Sequence, residues 1–136
     1  MNPALVRAAV EETLRLNTPL HMFGRTTRCP VIVRGAAIPQ DAFVMLNWAS
    51  ANRDAETFEN PDEFRLDRAP NPHVAFGFGI HTCVGAQLAR IELEVVAKEL
   101  LQRVPDMELC GDPPEYHFSG GNLAVLPELR ARFTPK

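Results

Sequence analysis

The apolar positions fall into three regimes along the chain. After Asn2 and Pro3, which suit a helix start, Ala4 to Leu16 carries Leu5, Ala9, Thr13 and Leu16 on one stripe with charge elsewhere, and Asn17 to Pro19 ends the helix. From Leu20 to Leu46 the pattern shortens to apolar segments between breakers: LHMFGRTT, Val31 to Val33, RGAAIPQD and Phe43 to Leu46. These read as strands, and Gly35, Pro39, Gln40 and Asp41 supply turn chemistry for an antiparallel hairpin in a small sheet. Trp48 to Phe64 reads as a short helix followed by an irregular, proline-containing stretch.

The longest periodic segment is Val84 to Val104. Val84, Leu88, Ile91 and Val95 fall on one side, while Ala86, Ala89, Leu93, Val96, Ala97 and Leu100 fall on the other. A helix apolar on two faces needs a neighbouring layer on each, and few other helices are encoded here to supply them. After Pro105, MELCG and LAVLPELRARF read as strands joined through GDPPEYHFSGGN, a second small sheet. Helices and antiparallel strands in separate blocks make the class α+β.

Composition changes this picture little. The chain of 136 residues is 46% hydrophobic and 23% charged, ordinary for a globular domain with its own core. A net charge of −3 without a basic run argues against nucleic-acid binding. No apolar run approaches the roughly 18 residues of a membrane span. MNPALVRAAVEE has no secretory apolar core, and three widely spaced cysteines, Cys29, Cys83 and Cys110, fit reduced thiols. The expected location is cytoplasmic.

Candidate chemistry concentrates in Phe76 to Gly85, FGFGIHTCVG. Cys83 precedes the long helix, where helix amides and the positive end of the macrodipole favour a thiolate over a thiol. Gly77 and Gly79 allow positive φ, so the loop can present N–H groups to the sulfur, and Gly85 allows a close approach. Without that context, a lone cysteine before a helix is a small buried hydrophobe.

This stretch resembles the cysteine loop of the cytochrome P-450 family, the haem-thiolate monooxygenases, whose signature F-G-x-G-x-H-x-C-x-G is filled at every position. The resemblance runs essentially end to end, but to the C-terminal portion of the bacterial-type fold: E-x-x-R helix, small antiparallel sheet, meander, cysteine loop, long proximal helix and C-terminal strands. It implies that residues 1–136 are a haem-binding portion, with the N-terminal portion absent, including the central helix whose acid and alcohol deliver protons to dioxygen. On that basis no catalytic residue is expected on this chain.

The resemblance implies haem as cofactor with Cys83 as axial iron ligand. Phe76, seven residues earlier, would keep the sulfur dry, and Gly77, Gly79 and Gly85 would shape the socket. His81 and Arg25 would pair with haem propionates; alone, each is equally a surface side chain. Leu20, His21 and Phe23, just before Arg25, would face substrate, as would Phe118 in the C-terminal turn. A histidine between apolar residues, as His21 is, also fits a hydrogen-bonded core group.

In ETLR, Glu12 and Arg15 stand three apart, a spacing that by itself describes a solvated surface pair. The resemblance makes them two members of an ion triad, with Arg68 of DEFRLDR as the third, clamping helix to loop. Asn71 to His73 lead into the loop, and His73 reads as a turn-stabilising residue without a metal role. Arg90 matches a basic contact for an electron-donating protein, or is a plain exposed helix arginine.

The implied partners are a ferredoxin- or flavodoxin-like electron donor, a small apolar substrate and the missing portion. A second reading, from a different class, is a haem-free fragment that self-associates through its uncovered apolar faces. A third, zinc held by His81, Cys83, Cys110 and His117, has neither a C-x-x-C knuckle nor an H-x-x-x-H pair behind it.

Overall fold

The computed structural model describes residues 2–112 and 115–134. Helix α1, Pro3–Leu16, starts where the Asn2 side chain accepts the Ala4 N–H at 3.0 Å and proline occupies the first helical position. Its buried stripe is Val6, Val10 and Leu14, and the expected one is not: Leu5 and Thr13 are exposed. The reason is electrostatic. Glu12 and Arg15 on the inward face are completely buried because they neutralise each other, so hydropathy alone misassigns that face.

Strands β1 (Met22–Thr26) and β4 (Phe43–Asn47) pair antiparallel, with Arg25 opposite Val44. Between them, β2 (Val31–Val33) and β3 (Ala36–Ile38) form a hairpin. Its turn is Arg34 and Gly35, both at positive φ, as a two-residue type I′ turn requires. Helix α2, Trp48–Ala51, follows directly, capped by the Asn47 side chain accepting from the Ser50 amide.

The proximal helix α3, Ala86–Arg103, begins two residues later than its apolar pattern predicts, after Gly85 as N-cap. It packs against α1, to which Arg90 is bonded through Glu11, and its small residues are its most covered apolar ones, with Ala86 buried and Ala89 and Ala97 half-buried. Both apolar faces stand open to solvent: Leu88 and Ile91 on one, Leu93, Val96 and Leu100 on the other. The core is correspondingly small, Val10, Leu14 and Ala75 with Phe76 packed against them.

The C-terminal region departs from the pattern. β5 (Glu108–Leu109) pairs with β8 (Ala131–Arg132), while β6 (His117–Ser119), inside the stretch expected to be a turn, and β7 (Leu123–Val125), the start of the expected last strand, make a separate hairpin. Gly120 and Gly121, both at positive φ, turn it. Pro113 and Pro114 of that stretch lie outside the described residues. The hairpin is tied to the segment before β1: the Ala124 amide donates to the Pro19 carbonyl and the His21 amide to the Asn122 carbonyl, each at 2.8 Å.

Candidate haem-thiolate site

A cleft of about 670 Å³ opens between the segment preceding and including β1 and the loop before α3. Pro19, Leu20, Phe23 and Trp48 make one wall, and Ala75 to Phe78 with Cys83 make the other. Arg25 and His81 are its basic side chains. Its volume lies within the ~300–1,000 Å³ typical of cofactor and ligand pockets.

The loop is built by short-range bonding. The Gly77 amide donates to the Val74 carbonyl at 2.8 Å, the Thr82 amide to the Gly79 carbonyl at 3.0 Å, and the Cys83 amide to the Phe76 carbonyl at 2.9 Å. Gly79–His81 forms one 3-10 turn. Gly77 at φ +75° and Gly79 at φ +71° occupy the left-handed region, where a side chain would be strained. These amides therefore close turns on loop carbonyls, so the expectation that the loop directs its amides to the sulfur does not extend to them. Their geometry is still what exposes Cys83 to the cleft. A Cβ at Gly85 would come within 3.8 Å of the Cys83 sulfur.

Behind this loop lies a charged knot. The Glu12 carboxylate accepts from Arg15 Nε and Nη2 at 2.9 and 2.8 Å, from Arg68 Nε at 2.9 Å, from the Arg65 amide at 3.0 Å and from Asn71 Nδ2 at 3.1 Å. Burial works to raise the carboxyl's pKa, but hydrogen bonds from Arg15, Arg68 and the Arg65 amide outweigh it and hold it down to about 2. The arginines are used further. Arg15 reaches the carbonyls of Asn52, Pro61 and Glu63, Arg68 those of Glu59, Asn60 and Glu63, and both guanidinium groups lie over the Phe58 ring. The meander is thus fixed by side chains donating to its carbonyls, because it has no strand partner to satisfy them.

Three residues without a role in the sequence reading complete the site. Asn52, fully buried, donates to Thr18 Oγ1 at 2.7 Å and accepts the Val74 amide at 2.7 Å, joining the end of α1 to the chain entering the loop. Phe58 is the platform under the two arginines. Glu11 accepts from Arg90 Nε at 2.7 Å and bonds His73 Nε2 at 2.8 Å. The segment A-N-R-D contains Asn52, but its partners lie 22 and 34 residues away, a separation that one sequence does not reveal.

Several expected placements differ. Arg90 is not a plain exposed arginine: its guanidinium turns to Glu11 and covers the Phe76 ring at 4.7 Å, because an unpaired carboxylate on α1 would otherwise be partly buried. His21 and Phe118 are not among the residues lining the cleft but pack edge to face, ring centroids 4.9 Å apart, where the C-terminal hairpin meets the segment before β1. His73 joins an ion cluster besides ordering its turn through the 3.3 Å bond from the Ala75 amide to Nδ1. Leu20, Phe23, Arg25, Phe76, Gly77, His81 and Cys83 do line the cleft. No group of three or more His, Cys, Asp or Glu gathers as a metal site among the described residues.

This fold and cleft define a class: the family model for cytochrome P450 matches residues 2–133, and the chain belongs to that family. A beta-dihydromenaquinone-9 omega-hydroxylase of Mycobacterium tuberculosis is 42% identical over 134 residues, 98% of this chain and 27% of that protein. A steroid C26-monooxygenase of Mycolicibacterium smegmatis is 44% identical over 132 residues, 96% of this chain and 33% of that protein. The solved structure of cytochrome P450 CYP109Q5 from Chondromyces apiculatus superposes with a TM-score of 0.92 at 36% identity, covering 99% of this chain and 35% of that one. The chain therefore spans about a quarter to a third of the length of the relatives it matches. No helix among the described residues is long and apolar enough to cross a membrane.

Proposed function

We propose that this chain forms the thiolate wall of a haem pocket and that the protein carrying it is a monooxygenase acting on an apolar substrate. The observation that carries the reading is the exposed Cys83 thiol on an otherwise apolar cleft edged by Arg25 and His81. That donor set suits a haem: a soft sulfur for the iron, apolar walls for the porphyrin faces, and two basic side chains for its carboxylates. A haem held here would supply redox-active iron for the reductive activation of dioxygen.

The chain's own residues then divide the work. Cys83 would supply the sulfur ligand, and Phe76, which lines the same cleft and takes the Cys83 amide on its carbonyl, would help to shield that sulfur once the cofactor is in place. Arg25, steered by its 2.8 Å bond to the Gly24 carbonyl and lying over Phe23, and His81 take the anionic edge of the cofactor. Leu20 and Phe23 face the substrate. The names of the relatives, a menaquinone hydroxylase and a steroid monooxygenase, support an apolar substrate. The electron donor is a ferredoxin- or flavodoxin-like protein and the location cytoplasmic. The test is haemin titration of the chain: stoichiometric uptake with a low-spin thiolate spectrum is expected, and uptake undiminished and optically unaltered in Cys83→Ser contradicts the reading.

A second reading, a haem-free chain that self-associates, is favoured by the exposure of Ile80, Leu88, Ile91, Val95 and Val96 around α3. Sedimentation velocity separates the two. A monomer with haem bound supports the first, and an apo-oligomer that refuses haemin supports the second.

A further inference from the structure

Glu11, His73 and Arg90 form an ion cluster separate in its members from the Glu12 knot, and it reaches the cysteine loop by another route. Arg90 Nε donates to Glu11 Oε1 at 2.7 Å and Nη2 to Oε2 at 3.2 Å, the two-pronged contact that fixes a guanidinium plane. That plane is held 4.7 Å from the centroid of Phe76. Phe76 in turn accepts the Cys83 amide through its carbonyl at 2.9 Å.

His73 completes the cluster from the far side. Its ring is almost fully buried, and Nδ1 accepts the Ala75 amide, so the proton sits on Nε2 and is donated to Glu11 Oε2 at 2.8 Å. The carboxylate is thereby locked between two donors. Burial pulls its pKa up, and hydrogen bonds from Arg90 and His73 override that and keep it below the ordinary value, so the cluster is charged at neutral pH.

We propose that Arg90, anchored by Glu11 and His73, is a positioning residue that holds Phe76 in place and so keeps Cys83 in its thiolate-presenting geometry. The proposal rests on the haem-thiolate reading above. It gives the proximal helix a role beyond packing: α3 and α1 jointly grip the aromatic ring that precedes the ligand by seven residues. Lysine cannot replace arginine here, because one ammonium cannot bond Glu11 through two prongs and cover the ring together.

The test uses the chain loaded with haemin, reduced and exposed to carbon monoxide, with amide hydrogen exchange measured on the haem-free chain. In Arg90→Ala the carbon monoxide spectrum moves partly from the thiolate type to the neutral-thiol type, and exchange at the Cys83 amide rises roughly tenfold. Exchange at the Arg65 amide, held by Glu12, stays as it was. Arg90→Lys falls between the parent and Arg90→Ala. Phe76→Leu reproduces the spectral shift, and combining it with Arg90→Ala adds nothing further.

A merely structural Arg90 would lower stability and haem occupancy while leaving the thiolate-to-thiol ratio unchanged, and that result overturns the proposal. So do additive effects of the Arg90 and Phe76 changes. If the unsubstituted chain shows no thiolate spectrum, the haem reading fails instead. The exchange data then decide the positioning role: a Cys83 amide unaffected by Arg90→Ala removes it, and a tenfold rise confined to the loop retains it.

Discussion

Glu12 is the residue on which the most bonding converges, and its charge is stable only because both guanidinium groups and an amide are already in place. A carboxyl held at about 2 in the folded chain against 4.5 ordinarily adds ~3 kcal/mol to stability above the ordinary value. The sign follows from the depressed pKa: the stabilisation is complete above pH 4.5 and is lost as pH falls towards 2. Urea midpoints measured across that window should drop steeply, and a flat profile would deny that the knot is charged. Glu12→Gln, which leaves two arginines with an uncompensated buried charge, should cost about 3–5 kcal/mol at neutral pH. The separate Arg68→Lys keeps a positive charge beside Glu12 but loses the planar geometry that reaches Glu59, Asn60 and Glu63 together, so it should cost stability as well, by less than Glu12→Gln.

At the scale of elements, the cysteine loop was the most legible part of the sequence because its constraints are local: two positive-φ glycines, a 3-10 turn and a helix start within ten residues. Gly77→Ala and Gly79→Ala should each cost about 1–2 kcal/mol, read by denaturation, and should weaken haemin uptake. Neither change would matter if the loop were a passive linker. Helix α1 was legible as a helix but not in its orientation, since its inward face carries Glu12 and Arg15 beside Val10 and Leu14. Strand β6 was not legible because HFS is three residues long and sits among turn formers, whereas its partner β7 falls in the apolar run LAV expected to be strand. Asn52 was missed as a polar residue whose meaning lies in Thr18 and Val74. Asn52→Ala leaves the part-buried Val74 amide without its acceptor, while the Thr18 hydroxyl keeps the carbonyls of Leu14 and Arg15, and should cost about 1–3 kcal/mol in chemical denaturation.

For the whole molecule, a small apolar core and open faces on α3 go together with ion pairs that tie α1 to the meander and to α3. In the haem-free chain the exposed apolar side chains favour association, so its apparent mass should rise with concentration, and Ile91→Glu with Val96→Glu should suppress that rise without altering the Glu12 knot. Concentration-independent monomer for the haem-free unsubstituted chain would contradict this.

The most direct measurement is the absorption spectrum of the haemin-loaded chain after reduction under carbon monoxide. The account predicts a strongly red-shifted Soret band for the chain and its loss in Cys83→Ser. A band of the histidine-ligated type, or one that survives the serine substitution, would contradict it.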